Sequence, residues 1–275
     1  MNTSRTPARK NKAMRMSLLA AVVMALAVVT AGAQSPDWTF EIVAEGIVGG
    51  GSCNSDMVIA PDGAPAVAYG STSGKSPIVV FVRKAPSTGQ WNYVTAGKGY
   101  CPSLAYGMLA GDPANPVLEP MIAYISDKHV LTFARPEAGV GPVSLDSYAL
   151  RPSLAIDPIT EYPAIAFLTQ PEGASPSVLK LARWTGSAWS IETIVSGESI
   201  WDVSLAFDFT GRPAIAWISG DETAGYFLDF ARRDPIDWWS AEPVVYLDPI
   251  LHSWPERFRT VLRGDYSGHS NAYNL

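Results

Sequence analysis

Five residues that stand just before or within short apolar runs have side chains suited to binding a ligand. They are Asp56, Tyr100, Arg151, Trp201 and Asp202. An indole followed by a carboxylate, as in Trp201-Asp202, could stack on a sugar ring and accept hydrogen bonds from its hydroxyls. We predict that the five residues form a ligand-binding site; the alternative is ordinary variation among loops.

The sequence carries no recognisable catalytic or metal-binding motif. Its three histidines, at positions 129, 252 and 269, have no His or Cys partner at ligand spacing. It also lacks a G-x-S-x-G nucleophile elbow, a phosphate-binding loop and an ordered D-x-D-x-D-G calcium loop. No catalytic residue, no metal and no cofactor is therefore predicted.

A pattern of short apolar runs occurs four times, at intervals of about fifty residues. In the third copy it reads Ser-Leu-Ala-Ile-Asp from Ser153, Pro-Ala-Ile-Ala-Phe from Pro163, Leu-Lys-Leu-Ala-Arg from Leu179 and Gly-Ser-Ala-Trp from Gly186. The arginines that close the third run, at 83, 135, 183 and 232, are spaced by 52, 48 and 49 residues. Residues shared by the copies, these arginines included, are interpreted as structural. Residues specific to one copy are better candidates for function.

The four runs of each copy, A to D, are predicted to be antiparallel β-strands. Short β-branched and aromatic runs bounded by Gly, Pro, Ser and Asp are typical of strands. Run B is apolar on both faces, which indicates a strand packed between two layers. A period of ~40–50 residues with four strands per copy is typical of a β-propeller. The predicted fold is therefore an all-β propeller of about five blades over residues 34–275.

The two ends of the chain predict how such a ring would close. Trp38–Val43 resembles a run D without a preceding run A, B or C, while Val261–Gly268 and Asn271–Tyr273 resemble runs A and B. An N-terminal strand that completes the last blade would remove an open sheet edge. Run C of this fifth copy is missing. Either the last blade is incomplete, or the chain is a fragment of a larger propeller.

The repeated pattern P-S-L-A-x-D, G-x-P-A-I-A-(Y/W), L-x-(F/L)-A-R, G-x-x-W resembles the blades of secreted bacterial β-propeller repeat proteins over roughly residues 38–275. The resemblance implies the propeller fold and specifies no activity. The turn before Trp lies where sialidase-like propellers carry an Asp-box. The sequence departs from that motif, because Gly186-Ser187-Ala188-Trp189 has no Ser-x-Asp ahead of it.

Residues 1–33 are predicted to be a signal peptide. Five basic residues and no acidic ones precede the apolar stretch Met16–Ala33, which ends in an A-x-A cleavage site. Cleavage after Ala33 predicts a secreted, periplasmic or cell-surface protein without a membrane segment; the alternative is an uncleaved anchor. The net charge would fall from −6 to −11 on cleavage, which disfavours nucleic acid as a partner.

The two cysteines, Cys53 and Cys101, stand just before run A in successive copies. Equivalent positions in adjacent blades lie side by side, and an exported protein permits disulfides. A disulfide between them is predicted, with two unpaired thiols as the alternative.

The function favoured by the sequence is that of a non-catalytic binding or scaffolding module whose partner is an unidentified protein or carbohydrate. The alternative is a glycan-acting hydrolase of sialidase-like propeller type. Such an enzyme would concentrate acidic residues and a tyrosine at the mouth of the channel. Asp56, Asp202 and Tyr100 are the residues that could serve it.

Overall fold

The computed structural model describes residues 40–44, 53, 55–73, 75–110, 117–170, 177–221, 223–234, 239–247, 262–263 and 271–272. Within these ranges the protein is all-β, with seventeen strands and no helix, which confirms the predicted class. No helix in the described part is therefore long and apolar enough to cross a membrane. The predicted signal peptide lies outside the described ranges. The chain divides into two compact units, residues 1–43 and 44–275, and the strands belong to the second.

The first fifteen strands form antiparallel meanders of four strands, each in chain order. Sheet one contains β1 (Ser55–Ile59), β2 (Pro65–Ser73), β3 (Ser76–Lys84) and the first half of β4 (Trp91–Gly107). Sheet two contains the second half of β4, β5 (Glu119–Ser126), β6 (Val130–Ala134) and β7 (Val143–Ser147). Sheet three contains β8 (Ala149–Ile156), β9 (Pro163–Thr169), β10 (Ser177–Trp184) and β11 (Trp189–Glu198). Sheet four contains β12 (Ile200–Phe207), β13 (Pro213–Asp221), β14 (Gly225–Arg233) and β15 (Trp239–Leu247).

Sheets one and two differ from the separate four-stranded units that the repeat predicts. Strand β4 continues from run D of the first copy into run A of the second, so the two sheets form one sheet of seven strands. The strand bends where Gly99 and Cys101 adopt positive φ angles of 154° and 54°, and its pairing with β5 shifts register just after Tyr100. At the other two junctions a single residue, Tyr148 or Ser199, separates run D from run A.

Three of the four strands formed by run B, β5, β9 and β13, are buried along most of their length, whereas β2 of sheet one is buried at four of its nine residues. Every residue of β9 is buried, and so is every residue of β13 from Pro213 to Ser219. The last two residues of β13, Gly220 and Asp221, are not buried. This confirms that run B packs on both faces. Strands β5 and β9 lie in the two sheets that have another sheet on each side, so apolar residues are favoured at nearly every position rather than at alternate ones.

The core lies between consecutive sheets. One cluster of buried side chains joins sheets one and two, a second joins sheets two and three, and a third joins sheets three and four. The cluster between sheets one and two contains the small Ala66 and Ala68 of β2 and the larger Ile122 and Tyr124 of β5. The small alanines allow the two sheets to approach closely.

A recurrent hydrogen bond joins the first strands of successive sheets. The strands formed by run A, β1, β4, β8 and β12, contact one another in chain order. In each contact a side-chain oxygen at the start of one run A accepts a hydrogen bond from the leucine N–H of the next. The three bonds are Leu104 N to Asp56 Oδ2 at 2.8 Å, Leu154 N to Ser103 Oγ at 3.0 Å and Leu205 N to Ser153 Oγ at 3.0 Å.

Replacing Ser153 by alanine should lower the free energy of unfolding by about 1–2 kcal/mol, because the part-buried N–H of Leu205 would lose this acceptor. Urea denaturation of Ser153→Ala would measure the change. Ser196→Ala, in an exposed position on β11, is the matched control and should be neutral. Equal stability of the two variants would contradict a structural role for this hydrogen bond.

The end of the chain contributes one short strand pair, β16 (Leu262–Arg263) and β17 (Asn271–Ala272), at positions predicted for runs A and B of a fifth copy. Strand β16 contacts β12, as each earlier run A contacts the one before it. The predicted N-terminal strand Trp38–Val43 lies partly outside the described residues. Its described portion, residues 40–43, is irregular rather than a strand.

Candidate functional site

A cavity of about 390 Å³ opens at the end of the sheets where run A begins. Its lining is mainly apolar, with aromatic and polar side chains among the aliphatic ones. The aliphatic lining residues are Ile125, Leu150, Leu168 and Ile200. The remaining lining residues are Cys53, Tyr100, Cys101, Arg151, Gln170, Ser177, Ser199 and Trp201.

The cavity is formed by the same irregularity in three copies. Each run A shifts register against run B near its start, just after Tyr100, Leu150 and Ile200. An extra residue in one strand of a pair bends that strand and redirects its side chains. Cys101 and Arg151 occupy equivalent places in two of these irregularities, and both have positive φ angles, 54° and 50°. The repeated bend therefore brings residues from different copies together at one end of the molecule.

Three of the five predicted site residues, Tyr100, Arg151 and Trp201, line this cavity. Asp56 is placed differently, because its carboxylate accepts hydrogen bonds from the backbone N–H groups of Met57 and Leu104. Asp202 is half-buried and is not among the lining residues. The two carboxylates and the three lining residues thus do not form a single cluster.

A disulfide forms part of the cavity wall. Cys53 and Cys101 are bonded, with their Cα atoms 4.6 Å apart. The bond connects the residues just before β1 to the bend in β4. It therefore ties the start of sheet one to sheet two at the point where the cavity opens.

Tyr100 is held by a histidine that the sequence did not connect with it. The Tyr100 hydroxyl is hydrogen-bonded to His129 Nδ1 at 2.8 Å, and the rings meet edge to face. His129 lies in the turn between β5 and β6 and has a φ angle of 56°. Burial raises the pKa of the Tyr100 phenol above its usual range, which disfavours the phenolate. Tyr100 can then serve as a hydrogen-bonding group in the cavity rather than as a phenolate nucleophile.

Trp201 presents a fixed aromatic surface. Its indole Nε1–H donates a hydrogen bond to the carbonyl oxygen of Gly220 at 2.7 Å, while the side chain keeps 44% of its area exposed. Gly220 has a φ angle of 106°, and a Cβ there would lie 2.1 Å from the Gly225 carbonyl oxygen. Glycine at this position therefore allows the tight turn that presents the acceptor for Trp201.

Three polar lining residues were missed by the sequence analysis: Gln170, Ser177 and Ser199. Gln170 and Ser177 lie at the ends of β9 and β10, and Ser199 lies at the junction between β11 and β12. Their positions within the repeat could have indicated these residues. The end of run B and the start of run C lie at the same end of a meander as the junction from run D to run A.

The repeated arginines do not converge. Arg83 forms an ion pair with Asp62, Arg135 contacts Glu119 at 2.7 Å and Arg183 contacts Asp157 at 3.6 Å. Arg232 is exposed. A second cavity of about 400 Å³ lies at the opposite end, where the charges of Arg183 and Arg233 are balanced by Asp157 and Glu192.

Comparison with known proteins does not assign a family to this chain. No protein-family model matches it. A search of curated proteins finds no significant match. Among the described residues, no group of three or more His, Cys, Asp or Glu side chains is arranged to hold a metal ion.

Proposed function

We propose that this chain is an exported, non-catalytic binding or scaffolding module built as a β-propeller, with a protein or carbohydrate ligand. The observation that carries the binding role is the meeting of Tyr100, Arg151 and Trp201, one residue from each of three junctions, in a single cavity. A mainly apolar cavity with a few convergent polar groups is typical of ligand sites. Export by the signal peptide of residues 1–33 is consistent with the Cys53–Cys101 disulfide.

Two observations support the propeller architecture. The run A strands contact one another in chain order, and one face of sheet one is exposed. In sheets two to four the run A leucines are buried against the preceding sheet, at Leu104, Leu154 and Leu205. The equivalent Met57 of β1 is 61% exposed, and Ile59 beside it is 60% exposed. We propose that the fifth copy, within residues 248–275, covers this face and so closes a ring.

Oxidation by hydrogen peroxide tests the closed ring. In the mature chain, we expect Met57 to be oxidised about as slowly as the fully buried Met121, because both thioethers would then be shielded from solvent. Peptide mass mapping over time measures both rates. Rapid oxidation of Met57 would contradict ring closure, and protection that depends on protein concentration would assign the face to a second copy instead.

Blocking the cavity tests the binding role. Ser199→Trp would place an indole in the cavity without altering the buried core, and Ser196→Trp, exposed on β11, is the matched control. We expect the mature wild-type protein to bind members of a glycan or peptide array. Binding should fall about tenfold or more in Ser199→Trp, because the ligand would have to displace the indole, and stay unchanged in Ser196→Trp. Equal binding by the two variants would place any ligand site elsewhere.

A glycan-acting hydrolase is the second candidate, and the Tyr100–His129 hydrogen bond is the observation that favours it. A phenol beside an imidazole can exchange a proton with a substrate. Release of free sugar from an array glycan by the wild-type protein, abolished in Tyr100→Phe, would support the hydrolase. Binding without release would support the non-catalytic module.

A further inference from the structure

We infer that the cavity at the end of the sheets where run A finishes binds a small neutral saccharide. The cavity lies between sheets three and four, at the end opposite the cavity of the proposed function, and the inference does not rest on that function. Its volume of about 400 Å³ is near the lower end of the ~300–1,000 Å³ typical of ligand sites, which suits a small ligand. Its charges, the hydrogen-bonding capacity of its ion pairs and its aromatic wall specify the chemistry.

The charges of this second cavity cancel. Its described lining residues include two guanidinium groups and two carboxylates. Arg183 Nη2 lies 3.6 Å from Asp157 Oδ2, and Arg233 Nη1 lies 3.3 Å from Glu192 Oε1. A charged ligand would lie near a like charge as well as an opposite one, and its own charge would have no counterpart. The cavity therefore favours a ligand without net charge.

The two ion pairs retain capacity to bind hydroxyl groups. Both separations exceed the ~2.7–2.9 Å of a charge-assisted hydrogen bond, and a carboxylate or guanidinium can form several such bonds at once. The guanidinium of Arg183 is also positioned by the Phe207 ring, whose centroid lies 6.0 Å from its Cζ atom. A hydroxyl donates and accepts, so it can bridge both members of a pair without separating them. A zwitterion would have to separate each pair, which favours a saccharide over an amino acid.

An indole supplies the apolar surface that a sugar ring needs. The Nε1–H of Trp184 donates a hydrogen bond to the carbonyl oxygen of Leu109 at 2.8 Å, and its ring meets that of Trp189 edge to face, with centroids 5.8 Å apart. Held in this way, the indole can pack against the C–H groups of a sugar while the hydroxyls reach the charged groups. The indole is specific to copy three, as expected of a functional residue. The corresponding residues of the other copies are Lys84, Pro136 and Arg233.

Titration of the mature chain with sugars, followed by saturation-transfer NMR, tests the inference. The neutral probes are the methyl glycosides of glucose, galactose, mannose and N-acetylglucosamine. Glucuronate, glucosamine and phenylalanine are the anionic, cationic and zwitterionic counterparts. We expect at least one neutral glycoside to bind about tenfold or more tightly than each charged counterpart. Absence of binding by every neutral glycoside, or tighter binding of a charged sugar or of phenylalanine, would overturn the inference.

Two pairs of variants assign the binding to this cavity. Ser190→Trp would place an indole in the cavity and should weaken binding about tenfold or more, whereas Ser196→Trp, also exposed on β11, should not. Glu192→Gln keeps the shape of the side chain but removes its charge, so it should weaken the neutral glycoside and strengthen glucuronate relative to it. Glu242→Gln removes the same charge at the corresponding place in copy four and should bind as the wild type does. Thermal unfolding verifies the fold of each variant.

The blocking variants separate this inference from the proposed function, because each closes a different cavity. Glycoside binding that is lost in Ser190→Trp and kept in Ser199→Trp would support the saccharide site. Binding that is lost in Ser199→Trp and kept in Ser190→Trp would support the proposed function and overturn this inference. Binding that both variants keep would place the saccharide elsewhere and overturn this inference as well.

Discussion

Replacing Cys53 and Cys101 by serine should lower the free energy of unfolding by about 4 kcal/mol. The disulfide spans 48 residues of sequence, and a cross-link across such a loop removes much of the conformational entropy of the unfolded chain. The bond also ties the start of β1 to β4, so its loss should loosen the first strand of sheet one. Urea denaturation of the oxidised wild type and of Cys53→Ser/Cys101→Ser measures the difference.

The single variants and a reductant complete this experiment. Cys53→Ser and Cys101→Ser should each lose as much stability as the double variant, because either change removes the whole cross-link. Reducing the wild type should reproduce the loss, whereas the double variant should not respond to reductant. Two free thiols in the unreduced protein, or equal denaturation midpoints for wild type and double variant, would contradict the disulfide.

Replacing Gly97 by alanine should destabilise the protein by about 3 kcal/mol, the upper part of the usual range for overpacking a core. A Cβ at Gly97 would lie 2.0 Å from the hydroxyl oxygen of Tyr124. The Tyr124 side chain is 1% exposed and belongs to the cluster between sheets one and two, so it has little room to move. Thermal and urea denaturation measure the loss.

Tyr124→Phe provides a specific rescue. Removing the hydroxyl takes away the closest contact, but the ring Cζ would still lie 2.9 Å from the new Cβ. Gly97→Ala should therefore cost less in the Tyr124→Phe background, without becoming neutral. Gly141→Ala, where a Cβ has no atom within 4 Å, is the matched control. A purely additive double variant, or a Gly97→Ala protein as stable as Gly141→Ala, would show that the contact does not limit packing.

The strands and the burial of run B could be predicted from the sequence because both depend on the types of neighbouring residues. Pro163–Leu168 is apolar at every position and preceded by turn residues, and together with Thr169 it forms the fully buried β9. The continuation of β4 from sheet one into sheet two could not be predicted from the sequence in this way. Gly97 and Gly99 are glycines of the kind that mark turns, yet here they let a paired strand bend while its hydrogen bonding continues into the next sheet.

Part of the candidate site could be predicted from the sequence. Comparing the copies separated Tyr100, Arg151 and Trp201 from the shared residues, and all three line one cavity. The same comparison selected Asp56, whose carboxylate takes the place of serine in the hydrogen bond between successive run A strands. A substitution at a repeated position looks the same in the sequence whether it alters a ligand site or preserves a structural bond.

The all-β class and the positions of most strands follow from short apolar runs, because strand formation and burial depend on neighbouring residues. The cavity depends on contacts between residues that are 29 or 48 positions apart in the sequence. Tyr100 and His129 meet at 2.8 Å, and Cys53 bonds to Cys101. Such contacts were decided by the register shifts at the start of run A in three copies and by the positive φ angles of Cys101 and Arg151 in two of them, features of packing between sheets that the apolar pattern of the runs does not mark.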